Sequence, residues 1–246
     1  SEPVESATCL VTPRTAMRGA DIKLFSVSRR ALLAHCSVLC VGAAVAAAAP
    51  VRAQGAGRKL LVVGDSLSAE YGLARGQGWV ALLEQKLAAD KLPWQVVNAS
   101  ISGDTTSGGR SRLTALLKEH KPGLVVIELG GNDALRGLPL AMTQANLSEM
   151  ARAAKAAGAK VLLVGMAVPP NYGRAYGESF TALFGTVARA QGTALVPFLL
   201  AGVADVPNAD ELFQADRIHP KAAAQPTMLA NVWPVLGPLL RPPLMQ

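Results

Sequence analysis

From Arg58 onward the chain alternates short, nearly continuous apolar runs with longer stretches of helical period, a pattern that few architectures accept. The apolar runs are Lys59–Val63, Gln95–Asn98, Leu124–Leu129, Lys160–Gly165 and Ala194–Pro197. Four of these five do not alternate with polar residues, as expected for parallel strands covered on both faces. Between them, Trp79, Leu82, Leu83 and Leu87 form one helical stripe, and Leu113, Leu116 and Leu117 another. Further helices are expected over Met142–Ala157, stopped by Gly158, over Phe180–Ala190 and over Met228–Leu240. Strand and helix in turn predict one doubly wound α/β domain, a three-layer α/β/α sandwich around a five-stranded parallel sheet. No internal repeat or Pro/Gly linker divides it, and 246 residues suit one core better than two. Ligands of such sheets bind beyond the carboxyl ends of the strands, so the loops there are where chemistry is expected.

Residues 1–53 read as an address placed before that domain, which is expected over 54–246. Arg18, Lys23, Arg29 and Arg30 precede an apolar stretch from Ala31 to Ala49, and Val51-Arg52-Ala53 offers a small-x-small cleavage site. Ser28-Arg29-Arg30-Ala31-Leu32-Leu33 also resembles a twin-arginine signal, so export by the Sec or the twin-arginine route to the periplasm or beyond is expected. An uncleaved anchor is the alternative, because the stretch is long enough to span a bilayer. Met17 is the expected start, and residues 1–16 carry no regular pattern. Cleavage after Ala53 removes Cys9, Cys36 and Cys40, which excludes disulfides, thiolate metal sites and a cysteine nucleophile from the mature chain. The formal charge is +7, of which three units belong to residues 1–53. No basic run with interleaved aromatics remains, so no nucleic-acid partner is indicated, nor any stable protein partner.

Four loops carry the candidate chemistry. The first strand runs into Gly64-Asp65-Ser66-Leu67-Ser68, which places a serine where a strand ends and free backbone N–H groups begin. An ordinary helix cap explains Asp65, Ser66 or Ser68 equally well. The stretch is not the G-x-S-x-G elbow, which speaks against the α/β-hydrolase fold. After the second strand comes Ser102-Gly103-Asp104, where glycine lets a backbone N–H approach a ligand, or simply makes a turn. The third strand empties into Gly130-Gly131-Asn132-Asp133; Asn132 has an amide to offer a developing oxyanion, and Asp133 is a candidate cap for the next helix. Neither dinucleotide nor P-loop glycine spacing is present. Near the end, Asp216 precedes His219 by three residues, a spacing at which a carboxylate holds the imidazole's tautomer while the ring takes a serine proton. The other histidine past Ala53, His120, sits at a helix end, so any serine mechanism needs His219.

Taken together, Gly64–Ser68, the glycine after the second strand, Gly130–Asp133 and Asp216–Pro220 resemble, in that order, the SGNH (GDSL-type) hydrolases. The likeness is to their bacterial acyl-CoA thioesterase/lysophospholipase group and extends over nearly all of residues 58–240. The resemblance implies a flavodoxin-like sheet and a serine esterase needing neither metal nor organic cofactor. It implies Ser66 as nucleophile with Asp216 and His219 completing the triad. The N–H groups of Ser66 and Gly103 and the amide of Asn132 would form the oxyanion hole. It also implies a substrate-binding loop that includes Val168, Pro169, Pro170, Asn171 and Tyr172. The expected substrates are small acyl esters: short- or medium-chain esters, lysophospholipids or acyl thioesters. A carbohydrate O-deacetylase with the same residues is the enzymatic alternative, and a non-catalytic envelope binding protein the other. Two residues depart from the family pattern, Arg217 between the triad partners and Ala167 where some relatives carry a basic residue. Both bear on head-group or acyl preference and not on reaction type.

Overall fold

A computed structural model describes residues 58–241. The expected export signal, its boundary at Ala53, Met17 and the three cysteines lie outside the described residues. The chain proceeds through β1 (Arg58–Gly64), α1 (Trp79–Ala89), β2 (Trp94–Asn98), α2 (Thr106–His120), β3 (Leu124–Glu128), α3 (Gly131–Leu135) and α4 (Leu140–Ala156). It continues with β4 (Lys160–Val164), α5 (Arg174–Gln191), β5 (Ala194–Val196), α6 (Ala209–Leu212) and α7 (Gln225–Leu240). Short 3-10 turns cover Pro170–Tyr172 and Ala222–Ala224.

The five strands form one sheet in the order β2-β1-β3-β4-β5, every neighbouring pair parallel. Strand side chains alternate between faces, and here both faces are roofed. Leu61, Val63, Val125, Ile127, Val161 and Leu163 pack with the apolar stripes of α2, α4 and α5. Leu60, Val62, Leu124, Val126, Leu162 and Val164 pack with α1 and α7. That division explains why the central strands read as unbroken apolar runs. The edge strand β2 is only partly buried, with Gln95 and Asn98 exposed. In α7, Pro234 and Pro238 lie inside the helix. It persists because Met228, Val232, Leu236 and Leu240, one residue per turn, are all buried.

The expected strands are found within a residue or two of their bounds. Three stop one residue early, at Glu128, Val164 and Val196, where the chain turns away to build the loops above the sheet. At the end of β4, Gly165 donates to the Val196 carbonyl at 2.7 Å and accepts from Leu199 N–H at 3.0 Å. A Cβ added to Gly165 would meet the Pro197 carbonyl oxygen at 2.2 Å, main chain that cannot swing aside. Gly165→Ala is therefore expected to lower the unfolding free energy by about 1–3 kcal/mol in urea denaturation. An unchanged midpoint would mean that the ends of β4 and β5 part freely.

Candidate active site

Ser66 lies on the tight turn that follows β1. The N–H groups of Ser68 and Ala69 return to the Asp65 carbonyl at 3.2 and 3.0 Å, and the turn continues well short of α1. The cap of α1 is Gly78, with no side-chain bond, so helix capping does not account for Ser66. Instead its hydroxyl faces His219: Oγ and Nε2 are 2.9 Å apart. On the other side of the ring, Nδ1 lies 2.6 Å from Asp216 Oδ2. Asp216 also accepts the N–H groups of Ile218 and His219 at 2.9 and 3.0 Å. The Ile218 N–H, then the imidazole, then the His219 N–H hold its carboxyl down to about 2, well below its ordinary value. The carboxylate is thus charged near neutral pH and fixes a proton on Nδ1, which leaves Nε2 free to accept from the serine.

The loop bearing His219 is anchored to the serine turn. Phe213 and Pro220 form an antiparallel bridge, and Gln214 N–H donates to the His219 carbonyl at 2.8 Å. The Gln214 side chain reaches across to the Tyr71 carbonyl at 2.9 Å, and the Tyr71 ring lies 4.3 Å from the imidazole, centre to centre.

Gly103 sits at the turn after β2 with φ +79°, which glycine takes without strain. Its carbonyl accepts from Arg136 Nη2 at 2.7 Å, while Ile101 N–H ties the loop to the Gly64 carbonyl at 3.0 Å. Asn132, in the first turn of α3, donates through Nδ2 to Asp65 Oδ2 at 3.0 Å. One amide hydrogen is thereby occupied and the other left for the crevice. Asp133 does not cap its own helix. It is fully buried and accepts the Thr106 N–H at 2.8 Å, together with the Thr106 and Thr143 hydroxyls. It therefore caps α2 from the neighbouring α3 and locks the Asn132 turn to the Gly103 side of the sheet.

These loops enclose a crevice of about 820 Å³ whose lining includes Ser66, Gly103, Asn132 and His219. Met166 and Val168 enter it from the layer of α2, α4 and α5, and Leu200 and Phe213 from the layer of α1 and α7. Val168 and Pro169 line it, whereas Asn171 and Tyr172 lie beyond the lining. Pro170 to Tyr172 form the 3-10 turn at the loop's end, and the Tyr172 ring begins a row, through Tyr176 and Phe180 to Phe184, that runs down α5 into the core.

Comparison with known proteins agrees with this geometry. The model of the GDSL-like lipase/acylhydrolase family matches residues 62–225. The chain belongs to that family. Esterase TesA of Pseudomonas aeruginosa is 59% identical over 187 residues, covering 76% of this chain and 92% of the relative. A thioesterase, protease and lysophospholipase of Escherichia coli is 43% identical over 185 residues, 74% of this chain and 84% of its own. A crystal structure of TesA superposes with a TM-score of 0.71 at 59% identity, covering 74% of this chain and 99% of that one. This GDSL-type protein is an esterase acting on small-molecule esters, and its α/β fold is that of the SGNH hydrolases.

Two carboxyls are buried beneath the site, Asp65, which the sequence offered only as a helix cap, and Glu128, which it did not single out. Glu128, at the end of the otherwise apolar β3, is wholly buried; its Oε2 accepts Ser68 Oγ at 2.6 Å and Asp65 N–H at 3.3 Å. Trp79 Nε1 in turn donates to Ser68 Oγ at 3.2 Å. The available signal was a single acid closing the run Leu-Val-Val-Ile-Glu. Burial first, then the neighbouring Asp65, raises the Glu128 carboxyl well above its ordinary value. Burial likewise pushes Asp65 up from 3.8 to about 6, against the bonds from Leu67 N–H and Asn132 and the nearby imidazole. Groups raised in the fold bind protons more tightly there than in the unfolded chain. Their stabilising share is complete below the unfolded values and is lost as pH rises, for Asp65 between about 4 and about 6. Glu128→Gln, a permanently neutral isostere, is expected to show a smaller fall in thermal midpoint than the parent as pH rises above the ordinary carboxylate range. Parallel curves for the two proteins would mean that Glu128 does not titrate against folding.

Proposed function

We propose that Ser66, His219 and Asp216 act as a catalytic triad that hydrolyses carboxylic esters and thioesters through an acyl-enzyme. The observation that carries this reading is the unbroken relay from Ser66 Oγ to His219 Nε2 at 2.9 Å and from Nδ1 to Asp216 at 2.6 Å. His219 takes the Ser66 proton as Oγ bonds to the carbonyl carbon, and then gives it to the leaving alcohol or thiol. Water, deprotonated by the same ring, releases the acid and restores the serine. The tetrahedral oxygen is met by the N–H groups of Ser66 and Gly103 and the second amide hydrogen of Asn132. Asp65 orients that amide, so the donor needs no reorganisation as charge develops.

Acyl esters suit the crevice better than acetylated sugars. Tyr71, Leu135 and Ile218 are exposed large apolar residues and line it, joined by Met166, Val168 and Pro169. Such a rim recruits an apolar chain and has few groups with which to bind a sugar ring. Short- and medium-chain esters, lysophospholipids and acyl thioesters all fit. No helix among the described residues is long and apolar enough to cross a membrane. Residues 18–53 support export to the periplasm or beyond, where esters and lysolipids are commoner than acyl-CoA.

A chain-length series of p-nitrophenyl esters, run beside acetylated xylan, tests the reading. Ser66→Ala is expected to lower kcat about 10⁶-fold. Asp216→Asn should lower it about 10⁴-fold by presenting the wrong tautomer. Full activity of Ser66→Ala on the esters would remove the nucleophile assignment, and cleavage of the xylan alone would overturn the acyl-ester reading.

A further inference from the structure

Arg217 stands in a conformation that its residue type resists. Its φ is +59°, the left-handed region that glycine enters freely and a Cβ-bearing residue does not. Three other non-glycine residues share that region, each at a local structural junction. Lys121 caps α2, Lys91 follows the end of α1, and the Glu70 carboxylate gathers the N–H groups of Gly76 and Gly78. At Arg217 the backbone makes a turn, its N–H donating to the Gln214 carbonyl at 2.9 Å, which glycine would make equally well. The arginine side chain does nothing for that turn. It reaches Asp210 Oδ2 at 3.4 Å, in a pair whose side chains are both 76% exposed. A pair so wet is weak and readily exchanged.

The side chain is nonetheless well placed. Arg217 is the one lysine or arginine among the residues lining the crevice, and Asp210 and Asp205 line it with Arg217. It lies two residues from His219, a chain span of at most about 7 Å, and His219 is the group that protonates the leaving alcohol. By that nearness in the chain, a charge on Arg217 bears first on the part of the substrate that His219 serves.

We propose that Arg217 and Asp210 form a head-group site that selects acyl esters whose leaving glycerol carries a phosphate followed by an ammonium, the zwitterionic lysophospholipids. The inference rests on the triad reading above and deepens it. The guanidinium exchanges its long contact with Asp210 for a phosphate, to which its planar fork is matched. That exchange leaves Asp210 unpaired in a lining it shares with Asp205, whose Oδ1 is already engaged with Gly202 N–H at 2.6 Å. An ammonium beyond the phosphate neutralises the freed carboxylate, whereas a purely anionic head group leaves it facing negative charge. The more distant phosphates of an acyl-CoA lie past the reach of this pair. The bond changes remain those of the esterase: Ser66 Oγ–C forms, the ester C–O breaks, and the proton passes through His219 to the departing glycerol oxygen.

The test measures kcat/KM on four substrates with one acyl chain: a monoacylglycerol, its 3-phosphate, its phosphoethanolamine, and the p-nitrophenyl ester. Each lipid is kept below its micellar concentration. Each value is divided by that for the p-nitrophenyl ester in the same protein, so any general loss of fold or activity cancels. The wild-type ratio is expected to be highest for the phosphoethanolamine and to decline with salt. Arg217→Gly, which keeps the turn, should lower the ratios for both phosphate esters roughly tenfold, with that for monoacylglycerol unmoved. Arg217→Lys should recover part of the loss. Asp210→Asn should lower the phosphoethanolamine ratio alone, by about threefold. Equal ratios across the lipids in the wild type, or phosphate ratios unaltered in Arg217→Gly, would overturn the proposal. Retention of the phosphoethanolamine preference in Asp210→Asn would overturn its ammonium half. Failure of the triad reading shows separately, as p-nitrophenyl hydrolysis that survives Ser66→Ala.

Discussion

Because all five strands run in the same direction, each delivers its chain to the same edge of the sheet. Neighbouring strands lie about 4.8 Å apart, so residues just past adjacent strand ends become neighbours whatever their distance in sequence. Ser66 leaves β1, Gly103 follows β2 and Asn132 follows β3, and β1 lies between β2 and β3. The serine is therefore flanked by its two companion loops through topology alone. Covering both faces makes that arrangement rigid, since every central strand is pinned between helical layers that share no slack.

Rigidity at the edge depends on polar groups that the apolar interior makes expensive. Glu128, Asp65 and Asp133 are all buried, and each is tied to a loop that carries chemistry. Glu128 binds the Ser68 hydroxyl and the Asp65 N–H, Asp65 orients Asn132, and Asp133 binds Thr106 at the head of α2. A buried carboxyl without partners would be far costlier, so these bonds both offset the burial and set the loop positions. Asp216 shows the opposite treatment. It lies at the surface, gathers three donors and stays ionised, whereas burial drives Asp65 and Glu128 toward their neutral forms. Identical chemistry thus serves as charge behind the imidazole and as mortar beneath the serine.

Much of this was legible in the residues. The apolar runs marked the strands because burial on both faces forbids polar alternation, and the helical stripes marked the layers that roof them. Ser66, Asn132 and His219 stood out as a set: each alone had an ordinary rival use, but polar residues after successive buried strands, followed by a carboxylate three before a histidine, form one combination. Helix capping was a fair rival for Ser66 until the long turn before α1 removed it. Glu128 and Gln214 did not stand out. An acid at a strand end reads as the start of a loop, and Gln214 acquires its bridging task only when the histidine loop lies against Tyr71.

The one-dimensional chain by itself determined which segments are strands, that the strands are parallel, and which side chains have reactive chemistry. These follow from periodicity and residue type, which act over a few neighbours. Only the folded molecule decided that Ser66 meets His219 across 153 positions, that Asp65 and Glu128 share a buried floor, and that Arg217 lines the same crevice as Ser66 and His219. Those relations depend on strand order and on how completely water is excluded. Both arise when distant segments pack together, and neither is written in any local stretch.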